Sequence, residues 1–198
     1  MEIVLASGNV GKIAEFNQFF NGLKVELIPQ SEFDIQSAAE TGTTFVENAI
    51  IKARHAAKLS GLPAIADDSG LAVDALDGAP GVLSARYAGA DATDQMRYEK
   101  LLEDMKDIPA DERSASFHSV IVLMEDEFDP APLVCHGIWP GYILTEPRGQ
   151  GGFGYDPVFY VPSHDCASAE LAPDVKNQIS HRGIAMQDLV DILKEVLP

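Results

Sequence analysis

Two adjacent carboxylates, Asp67 and Asp68, follow the apolar run Pro63 to Ala66 and precede Ser69 and Gly70. Carboxylates beside a core are costly unless something pairs them. A magnesium ion does this well, since it takes one or two carboxylates, several waters and substrate phosphates. An aspartate-rich turn accounts for the same residues without a metal. A second candidate is Ser7-Gly-Asn-Val-Gly-Lys12. Glycines after a strand let backbone N–H groups approach an anion, a following helix adds its positive end, and Lys12 adds a full charge. The loop is not a Walker A motif, because two residues rather than four separate Gly8 from Gly11 and Ile13 follows the lysine. A plain glycine turn is the alternative. The third is Gly151-Gly-Phe-Gly-Tyr-Asp156, followed downstream by Ser180-His-Arg-Gly183. Phe153 between glycines offers a face on which a base can stack. Arg182 and backbone N–H groups donate hydrogen bonds and so suit a 6-oxo purine edge, whereas the adenine amino group would meet donor with donor. A core aromatic and a satisfied histidine are the alternatives for Phe153 and His181. Taken together, the three segments supply a phosphate grip, metal carboxylates and a base pocket.

The elements that must position these residues follow from pattern. Residues 2–6 read as a buried strand, Gly8 to Gly11 as a turn, and Ile13, Phe16 and Phe20 as the apolar face of a helix. Thr44-Phe-Val-Glu47 reads as a capping box that starts a helix ending near Leu59, with Gly61 closing it. Pro63 to Ala66 is a short strand ending at Asp67, Leu71 to Leu76 is extended, and Gly78 to Gly81 is a turn. A helix is predicted from Thr93 to Met105, two long strands over Phe117 to Met124 and Leu133 to Leu144 joined by a hairpin loop, and a C-terminal helix marked by Leu189 and Leu193. Gly149 to Tyr155 is loop-like. Strand–helix units combined with a long hairpin predict an α/β fold with a mixed sheet.

Composition bounds the rest. A chain of 198 residues with 46% hydrophobic content suits one globular domain. No apolar run approaches the roughly 20 residues of a membrane helix, and Met1 to Ala6 carries no basic leader, so a cytoplasmic protein with no membrane partner is expected. A net charge of −17 argues against nucleic-acid binding. It also requires that the few Lys and Arg residues gather around any anionic ligand. Cys135 and Cys166 form no CxxC motif. His136 follows Cys135 directly, so on a strand the two point to opposite faces and are not expected to form a catalytic pair.

The ordered set Ser7 to Lys12, Thr44 to Ala49 with Lys52, Ala66 to Leu71, Gly81 through Ser84 to Tyr87, Gly151 to Pro157 and Ser180 to Gly183 resembles the inosine-triphosphate pyrophosphatase family, the Ham/RdgB type of non-standard purine NTP pyrophosphatase. It is closest to the bacterial members and spans essentially the whole chain. The resemblance implies a single domain over 1–198 with a long, mixed, curved central sheet, flanking helices and two lobes around an active-site cleft, as a homodimer. It implies Mg²⁺-dependent hydrolysis of dITP, ITP or XTP to the monophosphate and pyrophosphate. Carried onto this sequence, Asp68 is the general base and a metal ligand, Glu40 the second metal carboxylate, and Asp67 a support for the site. Ser7, Gly8, Asn9, Val10, Gly11, Lys12 and the catalytic Lys52 hold the triphosphate, and Ser69 contacts substrate. Phe153 stacks on the base, Gly154, Tyr155 and Asp156 shape its pocket, and Lys176, His181 and Arg182 read the oxo edge. The Maf type of pyrophosphatase, with a different base-reading loop, and a catalytically silent nucleotide-binding module are the alternatives.

Overall fold

Local signals start and stop the helices. In the computed structural model, which describes residues 1–196, α2 (Phe45–Ser60) has the full capping box: Thr44 Oγ1 accepts the Glu47 N–H, and the Glu47 carboxylate accepts the N–H groups of Thr43 and Thr44 at 2.8 and 3.0 Å. Gly61, at φ 70°, closes the helix with its N–H on the Ala57 carbonyl. Leu197 and Pro198, the end of the predicted 1–198 domain, lie outside the described residues.

The strand β1 (Glu2–Leu5) leads into α1 (Val10–Phe20), followed by β2 (Glu26–Pro29). β3 (Ala64–Val73), α3 (Asp94–Asp104), β4 (Ser114–Met124) and β5 (Leu133–Ile143) come next, then β6 (Phe159–Val161), β7 (Cys166–Ala167), α4 (Pro173–Ile179) and α5 (His181–Val196). One sheet of seven strands runs in the order β2-β1-β3-β4-β5-β6-β7. β1 is parallel to β2 and β3, whereas β5–β6 and β6–β7 are antiparallel, so the sheet is mixed.

Three local expectations are corrected. The turn predicted at Gly8 to Gly11 is shorter, because the Asn9 side chain accepts the Lys12 N–H at 3.0 Å and starts α1 at Val10. Asp67 to Gly70 is no turn: β3 runs through it, because each carboxylate finds a cation. The extended segment predicted to Leu76 ends at Val73 and gives way to a 3-10 turn over Asp74–Leu76. Ser180 to Gly183, to which the sequence pattern assigns no element, joins two helices: Ser180 ends α4 and His181 begins α5.

The chain divides into two compact units. The first comprises Met1–Asp68, Ser119–Gly137 and the chain from Arg182 on. In one of its cores, Phe16 and Phe20 of α1 pack with Ile3, Leu5, Ile65 and Met186. In the other, the alanine face of α2, Ala49, Ala53, Ala56 and Ala57, packs with Val4, Ala66 and Val122. Small side chains there let the helix lie close to its strands. The second unit comprises Ser69–His118 and Ile138–His181. Phe117, Trp139 and Phe159 centre its core, with Phe117 and Phe159 centroids 4.6 Å apart. On β5 Cys135 is buried and His136 exposed, and burial pushes the thiol up to about 11. The expected separation of that pair therefore holds.

Candidate active site

Successive residues of a strand face opposite ways, so Asp67 and Asp68 of β3 serve two different cation groups, all within the first unit. Asp67 Oδ2 pairs with Lys12 Nζ at 2.7 Å and with Arg182 Nε at 3.2 Å, and Ser119 donates its hydroxyl to Asp67 Oδ1 at 2.6 Å. Burial raises the Asp67 carboxyl, but the charges of Lys12 and Arg182 and these hydrogen bonds outweigh it and hold it far below the usual carboxylate range. Arg182 is itself shared with Glu15, whose Oε2 accepts from Nη1 at 2.8 Å. The Lys12 ammonium is pulled down, first by burial and then by Arg182 and Lys52, against the pull of Asp67.

Lys52, on α2, is the centre of the second group. Its Nζ donates to Asp68 Oδ1 at 2.6 Å, to the Asp67 carbonyl at 2.9 Å and to Glu40 Oε1 at 3.1 Å. Burial lowers the Lys52 pKa, yet Asp68 and Glu40 more than offset it, so the ammonium stays charged. Burial lifts the Asp68 carboxyl above its ordinary value in spite of Lys52, and Glu40 adds repulsion. Glu40 and Asp68 thus converge on one positive point. Among the described residues no cluster of three or more His, Cys, Asp or Glu side chains forms a metal cage. A hydrated divalent ion needs only one or two carboxylates beside substrate phosphates, and these two fit that requirement. Of the phosphate loop, Ser7 Oγ accepts the Asn9 N–H at 3.2 Å, while Gly8 and Asn9, ahead of α1, and Val10, its first residue, are exposed.

The second unit gathers the glycine loop. Asp156, buried, accepts the Phe153 N–H at 2.9 Å, the Ser168 hydroxyl at 2.7 Å and the Lys176 ammonium at 2.5 Å. Lys176 Nζ lies 5.0 Å from the Phe153 ring centroid, within cation–π range. Tyr155, its phenol pushed up by burial, donates to the Ser84 carbonyl at 2.8 Å. The Gly154 N–H donates to Asp94 at 2.7 Å. Of the residues expected to read the base, Lys176 is therefore beside Phe153. His181 stacks on Phe117 at 4.7 Å in this unit, and the Arg182 guanidinium is engaged by carboxylates of the first unit. Ser69, half-buried, follows Asp68 on β3. A Cβ on Gly152, which has φ of 72°, would run into the Asp156 carboxylate. Gly152→Ala is accordingly expected to cost about 1–3 kcal/mol, read as a lower Tm; an unchanged Tm would refute the close approach.

Sequence reasoning missed Glu15, Ser119, Ser168 and Asp94. Only Ser119 leaves a signal, as the one hydroxyl in the strand predicted over Phe117 to Met124.

The pattern of the Ham1 family matches residues 3–192. The chain is 60% identical to a dITP/XTP pyrophosphatase of Coxiella burnetii over 195 residues, 98% of both chains. It is 57% identical to one from Escherichia coli strain K12 over 193 residues, again 98% of both. A solved HAM1 protein from Coxiella burnetii superposes with a TM-score of 0.95 at 59% identity, covering 99% of this chain and 100% of that one. A Staphylococcus aureus Ham1 structure gives 0.89 at 42% identity, covering 98% and 99%. On sequence pattern, full-length identity and fold alike, this chain belongs to the Ham1 family.

Proposed function

We propose that this chain hydrolyses dITP, ITP and XTP to the nucleoside monophosphate and pyrophosphate, keeping deaminated purines out of the nucleotide pool. It works with Mg²⁺, as a cytoplasmic homodimer. The observation that carries the reading is the convergence of Glu40 and Asp68 on Lys52, in a chain whose full-length relatives are named dITP/XTP pyrophosphatases.

A water oxygen attacks the α-phosphorus, its proton passes to Asp68, and the bond from the α-phosphorus to the bridging oxygen breaks to release pyrophosphate. Lys52 holds Asp68 Oδ1, which leaves Oδ2 to take the proton. Lys12, Lys52 and the first N–H groups of α1 take the phosphate oxygens, since a helix start offers donors without acceptors inside the helix. Glu15, Glu40, Asp67 and Asp68 bring four negative charges against three positive ones from Lys12, Lys52 and Arg182. That cluster alone repels a triphosphate, and a divalent cation reverses its sign. Glu40 and Asp68 would hold Mg²⁺, which would supply charge neutralisation at the phosphate oxygens. Phe153 stacks on the base, and Lys176 offers a donor to the 6-oxo group.

Pyrophosphate release from dITP, XTP, dATP and dGTP, with and without Mg²⁺, tests this. Fast, metal-dependent turnover of dITP and XTP over dATP and dGTP is the expected result. Equal turnover of all four, or tight binding without turnover, rejects it, the latter in favour of a silent binding protein.

A further inference from the structure

The loop carrying Phe153 is held at both peptide groups flanking the Phe153 Cα. The Phe153 N–H donates to Asp156 at 2.9 Å, within the loop itself. The Gly154 N–H donates to Asp94 Oδ2 at 2.7 Å, from 60 residues away at the first position of α3. Each peptide group is planar, so anchoring the two on either side of a residue fixes both of its backbone dihedrals. The direction in which the Phe153 side chain leaves the backbone is thereby set by two carboxylates, one local and one distant. Asp94 has no part in the roles assigned so far.

We infer that Asp94 is a positioning residue for base recognition: by holding the Gly154 amide it fixes the pose of Phe153, and discrimination in favour of an oxo purine depends on that pose. The inference rests on the reading that Phe153 stacks on the base. Asp94 is built for the task. Its Oδ1 is held by Arg97 Nη1 at 2.6 Å, so its other oxygen is a fixed acceptor of charge-assisted strength. Thr93 caps the same turn. The Asp94 side chain is 45% exposed, so the fold tolerates its replacement. Tyr155 on Ser84 and Asp156 on Ser168 hold the rest of the loop, so losing Asp94 frees one peptide and leaves the loop in place. The ordering cost then falls on substrate binding and not on the chemical step.

The test is steady-state pyrophosphate release from dITP and dATP by wild type, Asp94→Ala, Asp94→Asn, Phe153→Ala, and Asp94→Ala combined with Phe153→Ala. Asp94→Ala is expected to raise KM for dITP about tenfold with kcat within about threefold of wild type, and to narrow the ratio of kcat/KM between dITP and dATP. Asp94→Asn, whose one side-chain oxygen can accept the Gly154 N–H only by giving up Arg97, recovers part of the loss. In the Phe153→Ala background the Asp94 change adds less than about twofold, because the residue it positions is gone. An unchanged KM, an equal defect in Asp94→Asn, or a full effect without Phe153 overturns the inference. A wild type that does not prefer dITP over dATP overturns the base-reading assignment itself, before any variant is compared.

Discussion

Asp68→Asn is expected to lower kcat for dITP by about 10²–10⁴-fold, the usual worth of a general base. Asparagine keeps the size of the side chain and a hydrogen-bond acceptor for Lys52, which now holds Asp68 at 2.6 Å, so the fold survives. It cannot take the proton of the attacking water, and it is a poorer metal ligand. These two losses separate by titration with metal. A loss of base persists at saturating Mg²⁺, whereas a loss of ligand is recovered there. Pyrophosphate release against Mg²⁺ concentration gives both numbers. A variant within threefold of wild type at all metal concentrations would remove Asp68 from the chemistry and leave its burial unexplained.

Asp67→Asn acts on stability instead. It leaves the Lys12 ammonium and one side of the Arg182 guanidinium buried without their carboxylate. Breaking a buried ion pair from one side costs about 3–5 kcal/mol, on the order of 10 °C in Tm for a chain of this size. The pH dependence has a definite sign. In the unfolded chain Asp67 titrates near the ordinary 3.8, whereas the folded carboxylate stays ionised far below that. Its contribution is fully present above about pH 4 and is lost as pH falls toward the folded value. The gap in unfolding free energy between wild type and Asp67→Asn should therefore be flat from pH 8 to about 4 and shrink below. Urea unfolding at several pH values reads it. A gap under about 1 kcal/mol, or one that closes near neutrality, would show that Asp67 is not the anchor of this cluster.

What the sequence disclosed depends on how far apart the interacting residues lie. The capping box at Thr44 and Glu47, the Gly61 stop and the helix after Thr93 were legible because their partners sit within four residues. The extent of β5 was legible but not its faces, since its outward Val134, Ile138 and Tyr142 are as apolar as its inward residues. Asp67 and Asp68 read equally as a turn, because what makes them a strand is Lys12, Lys52 and Arg182, and Arg182 is 115 residues away. α4 has seven residues with proline at its start, too short for a period to show. Arg113 gave no sign of its place: it is buried, with its guanidinium on the carbonyls of Met105, Ile143 and Leu144, and carbonyl acceptors leave no trace in side-chain pattern. At the site itself, the residue types of the phosphate, metal and base groups were readable, whereas Glu15, Ser168 and Asp94, which orient them, left no signal.

The way the chain supplies its two units also governs how it can be made. The core holding Ile3, Leu5 and Phe16 is completed by Ala185, Met186 and Leu189 of α5, so β1, synthesised well before α5, cannot bury its inner face until that helix has followed. The second unit, its segments lying between those of the first, has all its residues available once His181 is synthesised. Order of synthesis and order of completion are thus reversed: the middle of the chain can close first. The nascent first unit must meanwhile keep its apolar strands from other chains, a span in which protection by a chaperone is most useful.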